Sequence, residues 1–134
     1  MKYLLDTNIC IHIIKQKPPI VLERLPKLEV NEIGISAITL AELEYGVAKS
    51  GFPGRNKLAL IQFLTPFEIL PFSGTAAAVY GRIRSILEKS GQIIGPYDLL
   101  IGAQALSEEL ILVTNNEREF KRIPGLTIEN WLII

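Results

Sequence analysis

Met1-Lys2-Tyr3-Leu4-Leu5-Asp6-Thr7-Asn8 is the stretch from which the fold of this chain can be inferred. Its short apolar run, Tyr3 to Leu5, is typical of a buried strand, and a helical pattern of isoleucines begins directly after Asn8. Because ligands of open α/β sheets bind beyond the carboxyl ends of the strands, Asp6 lies where a binding site is expected. A strand-terminal acid before Thr and Asn is also a good helix N-cap, so Asp6 alone leaves both interpretations open.

The rest of the chain alternates short apolar strand patterns with longer helical ones. Strands are predicted at residues 3–5, 32–36, 67–70, 110–113 and 126–129. Helices are predicted at residues 9–15, 19–25, 37–48, 55–64, 74–89, 96–107 and 117–121, with a turn at Phe52-Pro53-Gly54. This alternation predicts an α/β fold with a mostly parallel sheet covered by helices on both faces. Without an internal repeat or linker, residues 1–134 are expected to form a single domain.

Composition excludes several classes of function. The 134 residues are 49% hydrophobic and carry 14 basic and 14 acidic side chains, so charge alone would not hold this protein on a nucleic acid. No apolar stretch approaches the roughly 18 residues of a membrane span, and we expect no signal peptide. A single cysteine, Cys10, favours a reducing cytoplasm. His12 is the only histidine, which excludes His-rich zinc sites and leaves the chemistry to carboxylates.

Two further acids stand out by their place in predicted helices. Glu42 lies in the middle of an almost wholly apolar helix, and Asp98 lies in the first turn of another. Each is followed four residues later by a glycine, Gly46 or Gly102, which would leave room above the carboxylate for a ligand or another backbone. Taken singly, Asp98 could simply complement the helix N-terminus and Glu42 could lie on a solvated face.

If these acids converge with Asp6, their mutual repulsion requires a cation between them. Hard oxygen ligands without histidine favour Mg²⁺, with Mn²⁺ as a substitute, over zinc. The end of the fourth strand would lie at the same edge of the sheet and adds Thr114, Asn115 and Asn116 as hydrogen-bond donors, with Glu117 or Glu119 as a further charge. Ordinary capping of a turn explains these residues equally well.

The order of these motifs resembles that of the PIN-domain ribonucleases, and most closely that of the VapC toxins of VapBC toxin–antitoxin systems. The resemblance covers the whole chain. The motifs that carry it are Leu5-Asp6-Thr7-Asn8, Ala41-Glu42-Leu43, Gly95-Pro96-Tyr97-Asp98, Val113-Thr114-Asn115-Asn116 and Glu119-Phe120. It implies a single PIN domain over residues 1–134, built as a three-layer α/β sandwich.

The same resemblance implies a Mg²⁺-dependent endoribonuclease toxin of the cytoplasm that cleaves structured RNA, a tRNA or rRNA loop, and inhibits translation. It further implies a homodimer and neutralisation by a VapB-type antitoxin in a heteromeric complex. The family's three acids fall on Asp6, Glu42 and Asp98, as catalytic residues and metal ligands.

One position departs from the family pattern. Asn116 stands where a further Asp often follows the fourth strand, so Glu119 or Glu117 could provide the fourth ligand, or that ligand could be absent. Thr7, Asn8, Thr114, Asn115 and Asn116 are expected to hold the ligands or contact phosphate.

Two alternatives remain open at the level of sequence. One is a metal-dependent nuclease of the same fold that acts outside a toxin–antitoxin system, on RNA or on DNA. The other is a non-catalytic α/β binding module with an acidic pocket, although the receiver-like version needs adjacent acids after the first strand and a lysine after a late one. Excess apolar residues at 19–28 and 37–64 predict a contact surface for a partner or a second copy.

Overall fold

Five parallel strands form the centre of the computed structural model, which describes residues 1–15 and 30–132. The strands are β1 (Tyr3–Leu5), β2 (Ile33–Ser36), β3 (Glu68–Leu70), β4 (Ile111–Val113) and β5 (Ile128–Glu129). Their order across the sheet is β3-β2-β1-β4-β5, so the chain first winds outward from β1 in one direction and then returns to its other side. The topological switch point therefore lies between β1 and β4, where doubly wound folds bind their ligands.

Helices connect the strands and cover both faces of the sheet. They are α1 (Thr7–Ile14), α2 (Ala37–Ala48), α3 (Pro53–Leu64), α4 (Gly74–Lys89), α5 (Pro96–Ser107) and α6 (Glu117–Phe120). The predicted three-layer α/β sandwich is thus confirmed. The helix predicted at residues 19–25, and with it the apolar surface predicted at 19–28, lies outside the described residues.

Successive residues of β1 point to opposite faces of the sheet, and each face has its own core. Leu4 packs with residues of α4 and α5, whereas Tyr3 and Leu5 pack with α1, α2 and α3. All three are almost fully buried. Since a parallel sheet with helices on both sides leaves neither face in water, the uninterrupted apolar run at residues 3–5 is what this position requires.

Two predicted boundaries are wrong for identifiable reasons. The Phe52-Pro53-Gly54 segment is the start of α3 rather than a turn, because Pro53 occupies the first helical position, where its missing N–H costs nothing. Helix α1 begins at Thr7, two residues before the predicted start, because Asp6 caps it. None of the helices in residues 1–15 and 30–132 is long and apolar enough to cross a bilayer.

Trp131, near the end of the described residues, packs into the core on the face of the sheet that α1 covers. Its side chain is fully buried, and its ring meets that of Tyr3 edge-to-face with 5.3 Å between centroids. The segment that follows β5 therefore packs its tryptophan into the same core cluster as Tyr3 and Leu5 of β1.

Replacing Trp131 with alanine should lower the free energy of unfolding by about 3–5 kcal/mol, because a large buried ring is lost and a cavity remains. Urea denaturation monitored by circular dichroism measures this loss. Trp131→Phe, which keeps a ring against Tyr3, should cost distinctly less. A loss under about 1 kcal/mol for the alanine variant would contradict the packing described here.

Candidate active site

Asp6 lies at the carboxyl end of β1, beside the switch point of the sheet. Its side chain is only 2% exposed and accepts the N–H of Ile9 at 2.9 Å, so it is the N-cap of α1. The side chain of Thr114, directly after the neighbouring strand β4, also interacts with this carboxylate and lowers its pKa. Asp6 therefore both caps α1 and lies at the edge of the sheet where a binding site is expected.

Glu42 reaches the same edge from α2. The hydroxyl of Thr7, the residue after Asp6, donates to Glu42 Oε1 at 2.6 Å and also lies 3.3 Å from the hydroxyl of Thr39. Glu42 and Glu44 are both half-buried, but Glu44 forms an ion pair with Lys57 in which the two side chains are 41% and 45% exposed, respectively. Thr7 thus holds Glu42 close to the end of β1.

Asp98 lies in the first turn of α5 and is joined to α6 by the amide of Asn116. Asn116 Nδ2 lies 2.6 Å from Glu119 Oε2 and 3.5 Å from Asp98 Oδ2, so it donates to both carboxylates. Glu117 is engaged elsewhere, accepting from Asn130 at 3.1 Å. Of the three residues considered for a fourth acidic position, Glu119 is therefore the carboxylate that lies beside Asp98.

The carboxylates influence one another through their charges. Burial is the main cause that raises the pKa of Asp6 from 3.8 to about 6, and the charges of Asp98 and Glu42 add to the rise. Burial also raises the pKa of Asp98, followed by the charges of Glu119 and Glu42. Since the charges of the neighbouring acids act on Asp6 and Asp98 only at short range, these four acids form one electrostatic unit.

The remaining predicted residues border this unit, one of them buried and two of them at its exposed rim. Thr114 is buried, and its hydroxyl also accepts the N–H of Asn116 at 2.9 Å. Asn8 and Asn115 follow β1 and β4 with exposed side chains. These exposed amides are open to solvent and to a ligand approaching the sheet edge.

The two glycines predicted to open space above the acids behave differently. A Cβ on Gly46 would meet nothing within 4 Å, and this glycine lines a groove together with Glu42. The prediction of open space is wrong for Gly102, because a Cβ there would lie 2.5 Å from Ile123 Cδ1. Its missing side chain serves the packing of α5 against the residues after α6 rather than a ligand.

The donor set fits a hard divalent cation in its chemistry. All candidate ligands are carboxylate oxygens, and a cation between them would offset the acidic charges that add to the effect of burial on the pKa values of Asp6 and Asp98. Within residues 1–15 and 30–132, no three acidic, histidine or cysteine side chains lie close enough together in this structure to hold a metal ion. Each carboxylate instead accepts a hydrogen bond from a neighbouring hydroxyl, amide or backbone N–H.

The strand order 3-2-1-4-5 identifies a doubly wound α/β protein, and the acids at its switch point form a polar site at one edge of the sheet. The PIN domain family model matches residues 3–126, and the chain belongs to the PIN-domain family.

Similarity to individual relatives extends over nearly the full length. Ribonuclease VapC2 of Rickettsia felis is 48% identical over 132 residues, covering 98% of both chains. The tRNA(fMet)-specific endonuclease VapC of Salmonella typhimurium is 46% identical over 131 residues, again covering 98% of both. The crystal structure of VapBC2 from Rickettsia felis bound to a DNA fragment from their promoter matches 98% of this chain and 99% of that one, with a TM-score of 0.92 and 48% identity.

The buried state of Asp6 predicts how stability depends on pH without divalent ions. Because its folded-state pKa of about 6 exceeds the ordinary 3.8, protonation favours the folded state, and this contribution is lost as the pH rises between those values. The wild type should therefore lose about 2 kcal/mol more than Asp6→Asn between pH 4 and pH 7. Urea denaturation in EDTA at several pH values measures this. Parallel stability curves for the two proteins would contradict the assignment.

Proposed function

We propose that this chain is a Mg²⁺-dependent endoribonuclease of the VapC type. The observation that carries the proposal is the single electrostatic unit formed by four acids at the switch point of the sheet. The ribonuclease and endonuclease names of relatives that match 98% of this chain support the same activity. RNA cleavage is the hydrolysis of a phosphodiester bond, and the exposed rim of the site is accessible to a polynucleotide.

In this proposal Asp6, Asp98 and Glu119 hold the metal ion, Mg²⁺ or Mn²⁺, and Glu42 either holds it or orients a water. When bound, such an ion supplies a water of lowered pKa and stabilises charge on the scissile phosphate. The hydrogen bond from Thr7 orients Glu42, and the interaction with the side chain of Thr114 favours the charged form of Asp6.

The amides have a different role at the rim. Asn116 keeps Glu119 beside Asp98. Asn8 and Asn115, with exposed side chains, are positioned to contact phosphate oxygens of the substrate.

A structured tRNA is the substrate that we propose. The Salmonella relative is named for cleavage of tRNA(fMet), and loss of an initiator tRNA would inhibit translation. The zero net charge of this chain favours recognition by the shape of an RNA loop over attraction to bulk RNA. An rRNA loop is the second candidate, which cleavage mapping on total RNA would distinguish.

A VapB-type antitoxin is the proposed protein partner. A groove of about 500 Å³ runs between α1, α2 and α3, and Ile11, Leu43 and Gly46 are among its lining residues. Because Glu42 lines the same groove, a polypeptide bound there would cover one edge of the acid site. This arrangement gives an antitoxin a direct way to block access of RNA.

The remaining parts of the proposal concern the state of the protein in the cell. We propose a cytoplasmic homodimer in which residues 1–134 form one PIN domain. The buried thiol of Cys10 is compatible with a reducing compartment. Exposed apolar side chains on α4 and α5, including Ile86 and Tyr97, would favour self-association, which light scattering of the purified protein tests.

Asp6→Asn and Glu42→Gln should each reduce Mg²⁺-dependent RNA cleavage by at least about 100-fold, because even residues that only support metal ligands are worth 10–100-fold. Cleavage of purified tRNA, followed on denaturing gels, measures this effect. EDTA should abolish the wild-type activity and added Mg²⁺ should restore it.

The matched control is Glu44→Gln, on the same helix as Glu42 but in an exposed ion pair with Lys57. It should retain activity, since such pairs contribute little. Equal cleavage of single-stranded DNA by the wild type would instead indicate a DNA nuclease of the same fold. Absence of metal-dependent cleavage by the wild type would favour the binding-module alternative.

Gly46→Phe should block capture by a co-expressed VapB-type antitoxin, because the new ring would fill the groove without meeting the chain itself within 4 Å of its Cβ. Co-purification through a tag on the antitoxin measures the effect. Ala77→Phe, at an exposed position of α4, is the control and should bind normally. Normal capture of a folded Gly46→Phe variant would rule out this groove as the contact.

A further inference from the structure

A buried series of hydrogen bonds joins the helices that carry Glu42 and Asp98. The hydroxyl of Ser36, at the end of β2, donates to Gln104 Oε1 at 2.6 Å and accepts the N–H of Ile38 at 3.0 Å. Gln104 Nε2 donates to the carbonyl oxygens of Leu70 and Pro71 at 3.3 and 3.2 Å, respectively. The side chains of Ser36 and Gln104 are both fully buried.

The side-chain amide of Gln104 fits this place in one orientation only. Its oxygen faces a hydroxyl donor and its nitrogen faces two carbonyl acceptors, so a flipped amide would oppose like groups. A buried amide that loses its partners is costly, which means that α5 cannot slide or rotate past β2 and β3 without a penalty. On its other side, α5 packs closely against Ile123 through Gly102.

Each end of the series lies on the same helix as a site acid. Ser36 is the N-cap of α2, six residues before Glu42, and Gln104 lies six residues after Asp98 on α5. Six helical residues span about 9 Å, short enough for a rigid helix to transmit its position. The register of Gln104 against Ser36 therefore sets the placement of Asp98 relative to Glu42, although neither hydrogen-bonding side chain touches an acid.

Stability alone does not account for an amide at this position. Replacing hydrogen-bonded buried partners with apolar groups of the same shape is often nearly neutral for stability, so a well-packed apolar pair would fill this core as well. An apolar pair, however, would not fix the relative positions of the two elements, whereas fully satisfied hydrogen bonds do so because they are directional.

We propose that Gln104, acting through Ser36, is a positioning residue that sets the separation between Asp98 and Glu42. This inference rests on the proposed metal-dependent nuclease. It predicts a loss of metal binding and turnover in variants that remain folded, with RNA binding unaffected because no part of the series lies at the exposed rim.

The test replaces Gln104 with methionine, which is similar in volume and lacks the amide. Electron paramagnetic resonance of Mn²⁺ should show about 10–100-fold weaker binding, and kcat on RNA should fall by a similar factor. KM should change less than about twofold, because ground-state RNA contacts are retained. All assays are made below the unfolding temperature of the variant, measured in EDTA.

Ser107→Ala, which removes a hydroxyl bonded to the backbone of the same helix, is the control and should match the wild type. Should Gln104→Met fail to fold, Ser36→Ala provides the milder change, with Ser73→Ala, which removes the equivalent cap of α4, as its control. Wild-type Mn²⁺ affinity and kcat in folded Gln104→Met or Ser36→Ala would overturn the positioning role. A wild-type protein that neither binds Mn²⁺ nor cleaves RNA would instead overturn the proposed function.

Discussion

The burial of one carboxylate at the end of the central strand is the constraint on which the rest of this structure depends. Asp6 is 2% exposed and lies between parallel strands whose ends meet at the switch point of the sheet. Its charge is costly there, and the raised pKa reports that cost. The N–H of Ile9 and the side chain of Thr114 offset part of it, so the start of α1 and the end of β4 are tied to the same group.

Three other acids, Glu42, Asp98 and Glu119, lie near this carboxylate, and hydrogen bonds from neighbouring side chains hold them in place. Thr7 holds Glu42, and the amide of Asn116 stands between Asp98 and Glu119. A set of repelling acids held in place in this way destabilises the fold, as functional sites commonly do. The PIN-domain membership of the chain and its similarity to VapC ribonucleases agree with the proposal that this arrangement accommodates a divalent cation and a phosphate.

The sequence predicted those features that follow from local periodicity. The apolar run at residues 3–5 and the alternation of strands and helices predicted the sheet, and strand ends and helix starts predicted where Asp6 and Asp98 would lie. It could not reveal Gln104, because one amide within an apolar helix looks the same whether it faces solvent or three partners distant in sequence. Gly102 was misjudged for a related reason, since the close approach of Ile123 is a tertiary contact. The choice of Glu119 over Glu117 beside Asp98 likewise required the position of Asn116.

In the proposed function, the acids at the switch point share a divalent cation. Crystals grown with Mn²⁺ and measured at a wavelength where manganese scatters anomalously would test it most directly. We expect an anomalous peak in contact with carboxylate oxygens of Asp6 and Asp98, accompanied by movement of the Asn116 amide away from Glu119. A well-ordered crystal with saturating Mn²⁺ and no peak at this edge of the sheet would contradict it.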